Sequence, residues 1–261
     1  MATDDLKHLA HAGDPIRVVP LHDPAGLTTL TAAAPAATPP NLTYRGGQML
    51  ESVKVFTVFW GQQWSSAPLA KLQAEINTFF DFILTSELMD QLAEYNTGPY
   101  TVGHGTRIGT DTVASPAPRH VASEGAIQHL LRQEITVNAK WPKPDANTLY
   151  FVYLPPGTIA IQGGSRSCQA FCGYHNSLNG MNYATMPFPG CAGCTGGLSE
   201  LDALTSTSSH ELCEAITDTV PGQGWYDDSN GEIGDICAWK TKKLGQYMVQ
   251  LEWSDKAGSC I

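Results

Sequence analysis

Residues 208–237 read SSHELCEAITDTVPGQGWYDDSNGEIGDIC and gather one histidine and several carboxylates into a short span. The preceding stretch, SELDALTSTSSHELCEAITD at 199–218, carries a helical apolar pattern that breaks at Pro221-Gly222, and Ser199 or a hydroxyl of TSTSS can cap its start. Residues four apart share one helix face, so His210 and Glu214 converge on one point. Glu211 stands about 100° round the helix, beside that point rather than on it. Two carboxylates then return: Glu232 lies 18 residues beyond Glu214, and Asp235 three further on.

The spacing can be read against the zinc-protease pattern His-Glu-x-x-His, in which two histidines hold zinc and the glutamate is the general base. Glu214 stands where the second histidine would be. A ligand set of His210, Glu214 and one of Glu232 or Asp235, with water in the fourth position, is chemically sound for zinc, and Glu211 becomes the general base. Carboxylates neutralise the cation more fully than imidazoles and leave the bound water less acidic. Calcium is the alternative cofactor, because Asp227, Asp228, Asn230, Glu232 and Asp235 offer oxygen ligands. Their spacing is not that of an EF-hand, and calcium leaves His210 without a role.

The stretches SHELCEAITD, GWYDDSNGEIGDICAW and VQLEWSDKAGSC resemble a group of mostly uncharacterised bacterial proteins with zincin-like helices. Thermolysin-like enzymes return a glutamate ligand at a distance similar to that of Glu232. FCGYHNS followed by YATMPFPGCAGC resembles the phosphate-induced, exordium-like proteins of plants, in which the metalloprotease helix is not retained. Together the resemblances run from Lys54 to the C-terminus. They imply an α/β (α+β) fold, a zincin-like mixed β-sheet with packed helices. Two functions follow: a zinc-dependent metallopeptidase or peptidase-like hydrolase acting on a peptide or protein substrate, or a non-enzymatic secreted exordium-like interaction protein whose metal site is structural or vestigial.

Composition narrows the remaining classes. The chain has 261 residues, 42% of them apolar, a formal charge of −10 and only 15 Lys+Arg, so it lacks the basic footprint that nucleic-acid binding requires. Apolar runs such as Leu149–Leu154 are far too short to cross a bilayer. The seven cysteines all fall in the second half. The expected arrangement pairs Cys237 with Cys260, satisfies Cys168, Cys172, Cys191 and Cys194 among themselves, and leaves Cys213 free inside the motif helix. The competing reading of those four is a structural zinc clamp. Low charge and abundant Gly, Ser, Thr and Asn point to secretion, whereas the N-terminal sequence has no basic-then-apolar leader. Oligomeric state is open.

Residues 1–48 are Ala/Pro/Thr-rich and read as a flexible or propeptide-like arm holding His8, His11 and His22; residues 49–261 read as the zincin-like catalytic domain. Strands are expected at SVKVFTVFWG (52–61) and NTLYFVYLPPG (147–157), helices at 68–95 and 124–141, and a Gly-interrupted strand or hairpin at 100–113. MNYATMPFP (181–189) is expected as an edge strand on which an extended substrate pairs along Asn182–Pro187, and YMVQLEWS (247–254) as the last strand. His104, His120 and His129 have no partner at ligand spacing, and His175 is assigned a loop-stabilising hydrogen bond.

Overall fold

A computed structural model describes residues 18–22 and 39–261. His8 and His11 lie outside these residues. The central sheet has six strands: β1 (Val19–Pro20), β2 (Lys54–Trp60), β3 (Thr106–Val113), β4 (Thr148–Tyr153), β5 (Phe171–Leu178) and β6 (Met181–Met186). Their order across the sheet is β1-β5-β6-β4-β2-β3. β2 pairs in parallel with both β3 and β4, and β4 in parallel with β6; β5 runs antiparallel to β6 and to β1.

β2 and β4 are central because they are apolar on both faces, as buried parallel strands must be. Alternate residues of β2 diverge: Val55 and Phe59 join the core under α1 (Leu69–Ile83), while Phe56, Val58 and Trp60 join the core under α3 (Glu124–Val137). The motif helix α4 (Glu200–Thr217) packs on the α1 side, and the Ser199 hydroxyl caps it by accepting from the Asp202 amide. Its buried face is widened by the hairpin of β7 (Thr241–Leu244) and β8 (Tyr247–Gln250), so every residue from Ala203 to Thr217 is buried. A mixed α/β architecture was expected, and this is one.

Several local expectations change. The segment 68–95 breaks into α1, α2 (Glu87–Gln91) and a 3-10 turn, because Ser86 caps a new helix by accepting from the Leu88 amide. Residues 106–113 form one strand, and a Cβ at Gly109 would come within 2.8 Å of the Phe56 ring. The stretch 181–189 is not an edge: β6 lies between β5 and β4 and is buried throughout, its Asn182 amide donating to the Thr148 carbonyl. Asn182, whose polarity suggests exposure in the sequence, is satisfied inside by Thr148 and Ser177. YMVQLEWS divides after Gln250, where Glu252 exchanges backbone bonds with Ile261 and Trp253–Ser254 pairs with Ser259–Cys260. The arm expected to be flexible contributes β1 to the main sheet, and Thr43–Tyr44 pairs with Trp225–Tyr226.

Cysteines pair as Cys168–Cys191, Cys172–Cys194 and Cys237–Cys260, leaving Cys213 free and buried. Sulfurs so paired are not a zinc clamp, and three disulfides fit an oxidising compartment. Among the described residues no helix is long and apolar enough to cross a membrane.

Candidate metal centre

Three segments meet at the middle of α4. The helix supplies His210, Glu211 and Glu214; the turn after it supplies Glu232 and Asp235; and β5, lying across the helix, supplies His175. Close approach of β5 depends on Gly173, where a Cβ would come within 2.8 Å of Thr207 and 2.9 Å of Glu211 Oε1. Gly234 does the same for the turn: a Cβ there would sit 2.8 Å from His210 Nδ1 and 2.9 Å from Glu214 Oε1. Both glycines are needed for space, which lets backbone pass against the polar cluster.

The donors form two groups that share Glu214. In one, His210, Glu214 and Asp235 bring ligand atoms within 4.8 Å of one another; in the other, His175, Glu211 and Glu214 do so. His210 Nε2 is 2.8 Å from Glu214 Oε1 and 3.9 Å from Asp235 Oδ1. His175 Nδ1 is 3.2 Å from Glu211 Oε2 and 3.5 Å from Glu214 Oε2. Two donors on a tetrahedral zinc stand about 3.4 Å apart, so these separations bracket the required spacing. Glu232 faces the other nitrogen of His175 at 3.5 Å, leaving Asp235 as the third member of the His210 group. Asp227 and Asp228 join neither group: Asp227 accepts from the Ser229 and Asn230 amides to shape the turn, and Asp228 pairs with Arg45.

The outer hydrogen bonds distinguish the histidines. His175 Nε2 donates to the Asp218 carbonyl at 3.1 Å, which leaves Nδ1 facing the carboxylates. A ligating histidine is held by this kind of outer bond. His210 Nδ1 lies 2.8 Å from Gln250 Nε2, whose amide also donates to Gly234 O at 2.9 Å and accepts from the Trp239 amide at 3.2 Å. Gln250 thus donates to Nδ1, and ligation through Nε2 requires its amide to turn over and present oxygen.

The cluster is buried apart from the half-buried Asp235, yet His210 Nε2, Glu211 Oε1, Glu214 Oε2, Asp235 Oδ1 and both Glu232 oxygens lack hydrogen-bond partners. Such orphaned groups cost about 1–3 kcal/mol each, more when charged, and invite a cation or protons. Burial by itself would lower the His175 pKa, but Glu211 and Glu214 outweigh it and push it up to about 10. His210 rises well above the ordinary range against the same burial, through Glu214. Glu232 and Asp235 rise strongly because they are buried beside Glu214, whereas the two imidazoles hold Glu214 down against burial. With all four acids (Glu211, Glu214, Glu232, Asp235) ionised, His175 protonated and His210 neutral as ligation requires, the residual charge is −3, and a divalent ion lowers it to −1. The donor set therefore fits such an ion.

The sequence pattern brings His210, Glu211, Glu214, Glu232 and Asp235 to this place and gives His175 no part in it. Its placement was visible in one respect: Gly173 and His175 are two apart on a strand and so face the same helix. No protein-family model and no curated protein matches the chain. The functional reading rests on the geometry above.

Proposed function

We propose that the chain is a zinc-dependent, peptidase-like hydrolase in which His210, Glu214 and Asp235 hold the ion and Glu211 is the general base. The observation that carries this reading is the division of labour on α4: Glu214 reaches His210, while the adjacent Glu211 is held by His175 alone at hydrogen-bond distance. A bound zinc would supply an acidified water and polarise a substrate carbonyl. Glu211 Oε1, without a partner of its own, would accept the proton. His175, anchored to the Asp218 carbonyl, would keep Glu211 Oε2 in place and balance its charge. A peptide or protein substrate and secretion belong to this proposal, the latter supported by the three disulfides.

Burial of His175, His210, Glu211, Glu214 and Glu232 favours a second reading, a structural metal centre in a non-enzymatic, exordium-like interaction protein. Elemental analysis together with hydrolysis of a peptide library by wild type and Glu211→Gln separates the two. The hydrolase reading expects zinc in both proteins and cleavage by wild type alone. Full zinc occupancy with no cleavage under any condition that opens the cluster establishes the structural reading, and absence of zinc from the wild type overturns both.

A further inference from the structure

The strand β1 lies on the otherwise free edge of β5, next to the metal centre. Val19 is opposite Gly173 and Pro20 opposite Phe171 in an antiparallel ladder. On its other side the same short segment is met by groups outside the sheet: Trp239 Nε1 donates to the Pro20 carbonyl at 2.9 Å, and the His22 amide donates to the Gly193 carbonyl at 2.6 Å. The Trp239 ring stands edge-on to the His22 ring, 5.3 Å between centroids. The segment is therefore held in an extended form between two walls. One wall is β5 and the other is the 191–196 turn with Trp239, and Cys168–Cys191 and Cys172–Cys194 tie the first wall to the second.

The contacts of Val19 show what lies beneath. Its side chain is 1% exposed and borders the bare α-carbon of Gly173, on the side where Thr207 and Glu211 Oε1 approach. Val19 packs with Cys172 and Cys194 in a small apolar cluster that is separate from both main cores. Removing the segment would thus uncover the Glu211 side of the centre; it would leave the core under α1 untouched and take from the core under α3 only the cover of Val18. Backbone pairing along a strand edge, with one side-chain pocket and fixed polar contacts at the flanks, is how sheets bind extended peptides.

We infer that the groove between β5, the 191–196 turn and Trp239 is a binding site for an extended polypeptide, and that Val18–His22 is its intramolecular occupant, covering the metal centre. The groove takes an uncharged segment with an aliphatic residue at the Val19 position, a carbonyl for Trp239 Nε1 and, two residues later, an amide for Gly193. Regulation of hydrolysis by this occupant rests on the hydrolase reading; occupancy of the groove does not.

The test uses the full chain carrying Val19→Asp, which places a buried charge beside Glu211 and expels the segment. The probe is a fluorescent peptide spanning residues 16–24 of the wild-type sequence. Because an intramolecular occupant lowers the fraction of open groove, the probe is expected to bind the variant on the order of tenfold or more tighter than wild type. Amide exchange at residues 171–175 is expected to quicken in the variant and to slow again when the peptide is added. Adding Trp239→Phe, which keeps the ring and removes the donor, is expected to weaken peptide binding. The inference is overturned if folded Val19→Asp protein, judged by near-UV circular dichroism, binds the peptide no better than wild type, or binds a scrambled peptide equally well. Measuring zinc content in the same samples separates the two proposals: peptide binding without zinc upholds the groove while the metal reading fails, and zinc without peptide binding overturns the groove alone.

Discussion

His175 Nδ1 stands 3.2 Å from Glu211 Oε2, and neither side chain is exposed to solvent. A strand residue and a helix residue 36 positions apart are thereby locked together, and the proposed function makes them a base and its orienting group. Glu211→Gln is expected to retain zinc and to lower kcat by about 10²–10⁴, the span of general-base contributions. His175→Gln should lower kcat less and also retain zinc. Zinc analysis beside steady-state kinetics checks both, and loss of the ion from His175→Gln but not from His210→Ala would move the metal to the His175 group.

Zinc uptake is expected to release protons and to tighten as pH rises. In the metal-free chain His175, His210, Glu232 and Asp235 all have pKa values raised above their ordinary 6.5, 6.5, 4.5 and 3.8. Groups raised in the folded state stabilise it fully below their unfolded pKa and lose that contribution as pH climbs through the folded one. Metal-free protein should therefore begin to lose stability above about pH 4, where Asp235 and Glu232 would ordinarily ionise, and go on losing it through about pH 10, the value to which His175 is pushed. Glu214, held down to about 2, works in the opposite sense and only below pH 4.5. Zinc-loaded protein should show a flatter profile, since the ion replaces those protons. Thermal melts across this range, with and without chelator, read the difference.

Gly234→Ala is expected to abolish zinc binding while leaving most of the fold intact. The added methyl would sit 2.8 Å from His210 Nδ1 and 2.9 Å from Glu214 Oε1, on the ligands themselves. Retention of wild-type zinc content would show that the turn yields more than its contacts imply.

Removing Cys237–Cys260 by double serine substitution is expected to lower stability by about 3 kcal/mol and to weaken zinc binding, since the bridge closes a separation of 23 residues beside Asp235. Denaturant unfolding supplies the first number and chelator competition the second. In untreated native protein no thiol should react, and Cys213 alone should become reactive on unfolding.

What could be read in the sequence followed the reach of its local patterns. β2 and β4 are continuous apolar runs, α4 has a cap and a Pro-Gly stop, and Cys237 and Cys260 flank the C-terminal strands, so each announces itself within a few residues. β1 does not, because its partner Gly173 is about 150 residues away and Val-Pro alone carries no period. β6 misled because Asn182 and Thr185 look solvated in sequence and are buried in the sheet. His175 was missed because its partners Glu211 and Glu214 lie on a helix 36 and 39 residues further on, and a side chain delivered from a crossing strand leaves no local spacing to recognise.

The donors of the centre come from a strand, a helix and a turn that meet only in the finished fold. An unfolded chain cannot gather them, so any ion favours the native side of the equilibrium, by about 2.7 kcal/mol when free zinc is a hundredfold above its dissociation constant. Under the proposed zinc reading, in an oxidising medium outside the cell where no chaperone restores lost copies, zinc supply would govern how long this protein lasts as well as what it does.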